Sequence, residues 1–520
     1  MSEQRPIIEV EDFGIVRGGA SVLEKLSFRL CGGETLVVLG DAASGKDALL
    51  GVLGGYGGRG DEPSGTIRYG DGAALPAVKR AKPPIRIVYL CAASDQPLNP
   101  HASVASQLSR IVARRHGGPR ASASEELRLA LERLPGAPTL GELGRRPGEV
   151  DATALSWALL AAALAQAPDL LIADHAFADL TPRAIKTVVA ALAAEQKRTG
   201  FALLYAARGL KTAAQLNSRV IVLRQGKVIE EGPFAKLAGG QSHAYTRTLF
   251  KAMPGTQDMK PPRNATRGEP LLQVQALDLI GDGRSARTRD GISFELRRGA
   301  SLALIGEEGS GRRALVRALL GLDHIAGGRV VLDQVDMSIL SAPMTSRLRR
   351  RIAFITGADD ALDPRMTIWD TVDEPLRAHL RLPRDMVAGH RESALKRVGL
   401  ASHDGRQAVA ALSPYDRRRL QVARAIVSAP FLAVIDEPLR GLDAFAQSIL
   451  IELLDDFRRQ EGPAFLVITA DVGIARALAE DAMFFKDGRV AERGPLREIL
   501  KNPKDAETKA LIAAVIPAGP

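Results

Sequence analysis

The chain has 520 residues, enough for two to four domains, and its 46% hydrophobic and 25% charged residues are normal for a globular protein. Its two cysteines, Cys31 and Cys91, exclude a disulfide framework and a cysteine-built metal site. The N-terminal sequence lacks a signal-peptide pattern, and the most apolar stretch, residues 154–167, is shorter than the roughly 20 residues of a membrane span. The chain is therefore expected not to cross a membrane, although it could lie against a membrane protein.

The net charge of +10 leaves two interpretations open. It indicates either an acidic partner, such as phosphate, nucleic acid or an anionic membrane surface, or a solvated surface rich in arginine. The basic residues are scattered, and the one tight run consists of Arg347, Arg349, Arg350 and Arg351. This scatter favours the second interpretation.

Glycines and apolar runs recur in the same order at two places about 260 residues apart. The strand-like run that ends at Gly40 matches one that ends at Gly306. The run that ends at Asp174 matches one that ends at Asp436. The chain therefore contains two copies of one unit.

A polar segment rich in Pro and Gly, residues 255–270, separates the copies and is typical of a linker. The closing segments of the copies, residues 220–233 and 482–495, also match each other. We predict domains over residues 1–254 and 271–520, joined by this linker.

In chain order, each copy alternates short apolar strands with helices. The strands are predicted at residues 34–40, 169–174 and 201–206 and at residues 300–306, 431–436 and 464–469. A helical insert, which includes residues 127–134 and 391–398, precedes the acid-terminated strand of each copy. The alternation predicts an α/β fold with a parallel sheet whose ligand binds at the carboxyl ends of the strands.

The first glycine-rich loop follows a strand and precedes a helix, which is the context of a phosphate-binding P-loop. Its backbone N–H groups are expected to surround phosphate, and its lysine is expected to reach the β and γ oxygens. The predicted nucleotide-binding residues are Gly40, Ser44, Gly45, Lys46 and Asp47. Asp47 stands where a Ser or Thr hydroxyl normally binds Mg²⁺, so its negative charge is expected to weaken nucleotide binding.

The second loop keeps the glycines but changes the last two positions. Its predicted nucleotide-binding residues are Gly306, Gly309, Ser310, Gly311, Arg312 and Arg313. Arg312 replaces the lysine with a longer, planar group that is not equivalent in a tight loop. Arg313 cannot bind a metal, although it could neutralise phosphate charge in place of Mg²⁺.

These two loops, the strands that end in Asp174 and Asp436, and the matching closing segments together resemble the ATP-binding-cassette (ABC) ATPases over nearly the whole chain. Within that family, residues 98–100 (LNP), 243–249 (HAYTRTL) and 362–367 (LDPRMT) look like the ATPase subunits of oligopeptide and dipeptide importers, some of which are fused tandem pairs. The resemblance implies two P-loop NTPase (ABC ATPase) domains in tandem, each with a parallel-sheet core and a helical subdomain.

The resemblance also implies ligands and partners. The cofactors are ATP and Mg²⁺, with Mg²⁺ in doubt at the second P-loop. The partners are two integral membrane permease subunits and a solute-binding protein, with no nucleic acid, and the two cassettes of the chain form an intramolecular dimer. The expected location is peripheral, on the cytoplasmic face of the inner membrane.

Carried over position by position, the resemblance makes Asp174 and Asp436 the acids that help to hold Mg²⁺. The next residue should be a glutamate that positions or activates the attacking water. In the second half it is Glu437, the predicted catalytic residue, and in the first half it is His175. A histidine can act as a base, but its reach and charge differ.

Other motif positions depart from the family pattern. The signature segments, residues 150–154 and 412–416, lack the glycine pair of LSGGQ, and Pro414 removes an N–H donor. The D-loop aspartate is kept as Asp443 in the second half. The remaining departures are Thr181 for the first D-loop aspartate, Ala207 and Ala470 for the switch histidine, Thr356 and either Leu90 or Ala92 for the Q-loop glutamine, and Arg17 and Gly281 for the adenine-stacking aromatic.

In the family, each ATP lies between the P-loop of one cassette and the signature of the other, and neither such site is complete here. The first hypothesis is an ATP-binding subunit of a peptide or similar importer that binds nucleotide and hydrolyses it weakly or not at all. The alternative is a pseudo-ATPase that acts as an interaction or regulatory module. A ribosome-associated tandem cassette is disfavoured, because those proteins carry a long charged helical linker.

Overall fold

The computed structural model describes residues 5–58, 60–70, 72, 75–76, 83–93, 98–116, 120–178, 180–239, 243–251, 268–279, 291–323, 325–337, 348, 350–358, 361–380 and 382–515. The chain divides into two compact units, Met1–Met253 and Pro254–Pro520. The predicted linker lies outside the described residues except for 268–270. Among the helices of the described part, none combines the length and the apolar character that crossing a membrane requires.

The described part of the first unit contains the strands of two sheets and a set of helices. Its strands are Pro6–Arg17 (β1), Ala20–Cys31 (β2), Thr35–Leu39 (β3), Asp61–Tyr69 (β4), Leu75–Pro76 (β5), Ile87–Cys91 (β6), Leu170–Asp174 (β7), Ala202–Ala206 (β8), Arg219–Arg224 (β9) and Lys227–Pro233 (β10). Its α-helices are Lys46–Leu53 (α1), Val104–His116 (α2), Arg120–Arg133 (α3), Ala152–Ala165 (α4), Pro182–Thr199 (α5), Leu210–Leu216 (α6), Phe234–Ala238 (α7) and Ala244–Lys251 (α8). Short 3₁₀ helices lie at Glu142–Gly144 and Pro147–Glu149.

The described part of the second unit follows the same order. Its strands are Pro270–Leu279 (β11), Ile292–Arg297 (β12), Ser301–Gly306 (β13), Ile325–Leu332 (β14), Val335–Asp336 (β15), Ile352–Thr356 (β16), Leu432–Asp436 (β17), Ala464–Thr469 (β18), Asp481–Lys486 (β19) and Arg489–Pro495 (β20). Its α-helices are Arg312–Leu319 (α9), Ile368–Pro375 (α10), Arg384–Arg397 (α11), Pro414–Ser428 (α12), Ala444–Glu461 (α13), Val472–Leu478 (α14), Leu496–Lys501 (α15) and Ala506–Val515 (α16). A π-helix covers Leu376–Leu380 and a 3₁₀ helix covers Val409–Ala411.

Each unit is built on a six-stranded sheet with the same strand order. The orders are β10-β9-β3-β8-β7-β6 and β20-β19-β13-β18-β17-β16. Five strands of each sheet are parallel, and the edge strands β10 and β20 are antiparallel. Every residue of the central strands β8 and β18 is buried, as expected for parallel strands covered on both faces. The predicted α/β fold with a parallel-sheet core is confirmed.

A smaller antiparallel sheet packs beside the parallel one in each unit, with orders β2-β1-β4-β5 and β12-β11-β14-β15. Helix α1 buries Leu49 and Leu50 in a core that both sheets of the first unit share. Helix α9 buries Leu315 and Leu319 in the corresponding core of the second unit. This packing holds the N-terminus of each P-loop helix at the carboxyl end of its parallel sheet.

The predicted helical inserts form a separate group of helices in each unit. Helices α2, α3 and α4 pack together in the first unit, and α10, α11 and α12 pack together in the second. In the second unit these helices pack on the face of the parallel sheet opposite α9. Their shared apolar core contains Ile368, Leu395, Leu420 and Val467.

Candidate nucleotide-binding sites

The first glycine-rich loop connects β3 to α1 and exposes the N-terminus of that helix. Gly45, which precedes α1, has φ 88°, a left-handed conformation that glycine adopts without steric cost. A Cβ atom at Gly45 would lie 2.5 Å from the carbonyl oxygen of Val22, and one at Gly40 would lie 2.6 Å from that of Leu223. Both glycines are therefore required by close approach of the backbone. Among the described residues no side chain caps the N-terminus of α1, so its N–H groups suit an anion.

Lys46 supplies the charge of this loop from a buried position. Its side chain is 2% exposed, and its Nζ donates a hydrogen bond of 2.9 Å to the carbonyl oxygen of Asp41. The hydroxyl of Ser44 is also buried and has no hydrogen-bond partner within the described residues. The loop therefore presents an oriented cation that a phosphate could engage.

Asp47, Asp174 and His175 meet at the carboxyl end of β7, and we call them the first-half cluster. His175 Nε2 lies 3.0 Å from Asp47 Oδ1 and 3.5 Å from Asp174 Oδ1. One potential ligand atom from each of the three residues lies within 4.8 Å of the others. The sequence predicted a metal-binding role for Asp174 and placed Asp47 at the hydroxyl position of the P-loop. The structure brings both residues together with His175.

The carboxyl groups of this cluster have opposite pKa shifts. Burial alone would raise the pKa of Asp47, but the hydrogen bond with His175 and the charge of Lys46 together lower it to about 2. Burial raises the pKa of Asp174, although the hydrogen bond from the Tyr89 hydroxyl and the nearby His175 oppose that shift. The cluster therefore contains one carboxylate that the surrounding charges keep ionised and one whose ionisation is opposed by burial.

The second loop has the same backbone but a different charge arrangement. Gly311, with φ 97°, precedes α9 as Gly45 precedes α1. Arg312 is 4% exposed, and its Nη2 donates to Glu437 Oε1 at 3.1 Å. Arg313 Nε lies 3.4 Å from Asp436 Oδ2. Both predicted functional carboxylates of this half therefore contact arginines of their own P-loop, and we call these four residues the second-half network.

Glu437 is held by two further hydrogen bonds. Its Oε1 accepts one from the Ala470 N–H at 2.7 Å, and its Oε2 accepts one from the Thr469 hydroxyl at 3.0 Å. Burial lowers the pKa of Arg312, and the charge of Glu437 opposes that shift. All of these contacts fix the carboxylate against the sheet.

The two halves differ in their fit to Mg²⁺, which nucleotide-binding P-loops use with the phosphates. Mg²⁺ takes oxygen ligands, and the first half offers the carboxylates of Asp47 and Asp174 close together. In the second half, Arg313 occupies the position of Asp47 and pairs with Asp436. The first half fits a divalent cation, and the second half does not.

The predicted signature segments lie at the N-termini of helices. The Asp151 carboxylate accepts hydrogen bonds from the Thr153 and Ala154 N–H groups at the start of α4. The Ser413 hydroxyl accepts one from the Asp416 N–H at the start of α12, where Pro414 is the first residue. Side chains of the protein therefore cap these helices and occupy some of the amides that the glycine-rich form offers to a ligand.

The two D-loop positions also act as helix caps. The Thr181 hydroxyl accepts from the Ala184 N–H at 3.3 Å, and the Asp443 carboxylate accepts from the Ala446 N–H at 2.8 Å. Both side chains therefore satisfy a backbone donor at the start of a long helix, α5 or α13.

The remaining predicted positions lie on several strands and on the loops that follow them. Ala207 follows β8 and Ala470 follows β18. The Ala470 N–H donates to Oε1 of Glu437, the residue after the acid that ends β17. Leu90 lies within β6 and Ala92 follows it, and the Thr356 N–H donates to Gln421 Oε1 at 2.8 Å. Arg17 pairs with Asp61 at 2.6 Å. Gly281, Arg347 and Arg349 lie outside the described residues.

Sequence reasoning missed two tyrosines at the first site. The Tyr89 hydroxyl donates to Asp174 Oδ2, and the Tyr245 hydroxyl donates to Asp41 Oδ2 at 3.1 Å. Tyr89 directly precedes Leu90, one of the two predicted Q-loop positions, so a polar side chain at this strand end was an available signal. Tyr245 is far from the loop in sequence, and no local pattern connects the two.

The doubled parallel sheet and the glycine loops at its carboxyl edge define a P-loop nucleotide-binding protein. The family model described as ABC transporter matches residues 289–440. The chain is 29% identical to the glutathione import ATP-binding protein GsiA of Shigella sonnei (strain Ss046) and of Escherichia coli (strain K12), over 96% of this chain and 87% of each relative. Residues 289–440 thus match an ABC transporter domain, and nearly the whole chain is similar to these ATP-binding proteins.

Solved structures with a similar fold include cbiO1 from Clostridium perfringens. That structure has a TM-score of 0.41 and 24% sequence identity, and the match covers 45% of this chain and 91% of cbiO1. The ATP-binding cassette MJ0796 bound to ADP and Pi matches with a TM-score of 0.40 and 22% identity, over 44% of this chain and 99% of that cassette.

Proposed function

We propose that the chain is the ATP-binding subunit of an importer for a peptide-like solute, and that only its first half binds nucleotide. The name of its relatives, glutathione import ATP-binding protein, supports the solute class. In this proposal the chain works with two integral membrane permease subunits and a solute-binding protein. It lies peripherally on the cytoplasmic face of the inner membrane.

The contact between Arg312 and Glu437 carries the proposal. Phosphoryl transfer needs a P-loop cation directed at the phosphates, a metal and a positioned water at the same place. Here the P-loop cation binds the carboxylate that should position the water. Arg313 similarly neutralises Asp436, the acid that should help to hold the metal. These contacts support a second half that keeps its fold through internal charge pairs instead of through nucleotide.

The first half, unlike the second, has groups that are available to phosphate and to a metal. Lys46 and the glycine backbone of its loop support phosphate binding, and Asp47 with Asp174 supports a divalent cation. The position after Asp174 carries His175 in place of the glutamate, and its imidazole contacts the Asp47 carboxylate. Loss of one positioning group commonly lowers a rate by about 10²–10³-fold. Hydrolysis at this site is therefore expected to be weak or absent.

The test is ATP turnover by the purified chain assembled with its permease partners. We expect slow turnover that Lys46→Ala abolishes, because that change removes the phosphate cation. The matched variant combines Arg312→Met with Glu437→Gln, which removes both charges of the second-half pair together. Turnover should survive this double change. Its loss, with the complex still assembled, would show that the second half is the catalytic one.

The alternative function is a pseudo-ATPase that regulates or organises the complex without turnover. The two charge pairs of the second half and the side-chain caps at Asp151 and Ser413 favour it. It predicts that the assembled complex binds nucleotide but releases no phosphate above the level of Lys46→Ala. Solute uptake that continues while phosphate release stays at the level of Lys46→Ala would favour the alternative over an importer driven by ATP hydrolysis.

A further inference from the structure

The first-half cluster combines two carboxylates and an imidazole, which is a ligand set for a metal other than Mg²⁺. We propose that Asp47, Asp174 and His175 bind a borderline divalent cation, of the class of Mn²⁺, Co²⁺ or Zn²⁺, directly and without nucleotide. This deepens the proposed function by naming the cation of the nucleotide-binding half.

Two of the three distances between these side chains match a coordination shell. Ligands about 2.1 Å from a metal lie about 3.0 Å apart at right angles and about 3.4 Å apart in a tetrahedral arrangement. The two edges that meet at His175 Nε2 measure 3.0 Å to Asp47 and 3.5 Å to Asp174. The Asp47 side chain is 54% exposed, so a rotation can adjust the third edge.

One unsatisfied carboxylate oxygen points to a missing charge at the same place. Asp174 Oδ1 is buried and has no hydrogen-bond partner within the described residues, whereas its Oδ2 accepts from the Tyr89 hydroxyl. His175 is 6% exposed and presents Nε2 to both carboxylates. Buried polar atoms without a partner are rare because they cost free energy. A cation between the carboxylates and the imidazole would satisfy the carboxylate oxygen.

The donor set selects the class of metal. Mg²⁺ and Ca²⁺ prefer oxygen ligands, whereas imidazole nitrogen suits transition metals and zinc. Asp47 stands in place of a hydroxyl, and His175 stands in place of a carboxylate. Each of these side chains carries an atom that can bind the metal directly. Among the described residues, the corresponding positions of the second half hold Arg313 and Glu437, which belong to the second-half network. The site is therefore specific to the first half.

The experiment titrates Mn²⁺ into the full chain, freed of any affinity tag and of nucleotide, and follows free Mn²⁺ by electron paramagnetic resonance. Pulsed measurements then detect hyperfine coupling to the imidazole nitrogen. We expect one Mn²⁺ per chain with nitrogen coupling. His175→Gln should weaken binding at least about tenfold and remove the coupling. Asp47→Ser, which restores a hydroxyl, should weaken binding but keep the coupling.

The matched control is His101→Gln, the same substitution at an exposed histidine of the same unit. It should leave both the affinity and the coupling unchanged, and circular dichroism confirms that each variant is folded. Absence of Mn²⁺ binding, or nitrogen coupling that persists in His175→Gln, overturns the proposal. Because nucleotide is absent throughout, failure here leaves the nucleotide-binding proposal standing, and failure of ATP binding leaves the metal site standing.

Discussion

His175 and Glu437 occupy the same place in the two units, directly after the acid that ends a buried strand. Both have left-handed backbones, with φ 51° and 45°, which is uncommon outside glycine. In each unit the backbone N–H of this residue donates to a neighbouring strand, to Ala206 in one and to Ile468 in the other. The backbone therefore fixes this position in the same way in both units, and the chemical difference between the units lies in the side chain.

Single replacements in the second-half network should destabilise the protein. Glu437→Gln leaves the buried Arg312 guanidinium without its carboxylate, and breaking a buried ion pair in this way costs about 3 kcal/mol. The double variant Arg312→Met, Glu437→Gln should recover most of this loss, because no buried charge remains. Urea denaturation of the full chain measures both. A Glu437→Gln variant as stable as the parent would contradict the structural role assigned to the pair.

The two segments that align with the family's signature form the N-termini of helices and stabilise the fold there. The first signature segment ends in a capped helix, α4, whose first amides bind the carboxylate of Asp151. In the second, Ser413 caps α12 and Pro414 is its first residue, which is a typical start for a helix. At this scale the changed sequences are locally consistent with helix formation, although they lack the family's glycines.

Asp151→Ala should therefore lower the free energy of unfolding by about 1 kcal/mol, because two amides of α4 lose their acceptor. Asp151→Asn is the matched control, since asparagine caps helices about as well as aspartate. Chemical denaturation of the two variants checks the difference. Equal stability of the alanine and asparagine variants would rule out the capping role.

Strands, glycine loops and helical inserts followed from the sequence because their signals are local. Apolar runs that end in an acid predicted β7 and β17, and the glycine spacing predicted loops that the structure places between strand and helix. The contacts of the sites could not be predicted in the same way. Arg312 and Glu437 are 125 residues apart, and His175 and Asp47 are 128 apart, so only the folded sheet brings them together.

At the scale of the whole molecule, the two units share a strand order but differ in the charge of their sites. The first half gathers two carboxylates, a histidine and a buried lysine around a loop with unsatisfied groups. The second half pairs its loop arginines with its own acids. A repeated fold therefore supports one open site and one internally neutralised site.

The stoichiometry of nucleotide binding distinguishes one open site from two. Equilibrium dialysis of labelled ATP against the full chain, with Mg²⁺ or Mn²⁺ present, counts the nucleotides bound per chain. We predict one, lost in Lys46→Ala and retained in Arg312→Met, Glu437→Gln. Two nucleotides per chain, or one that survives Lys46→Ala and disappears in the double variant, would contradict it.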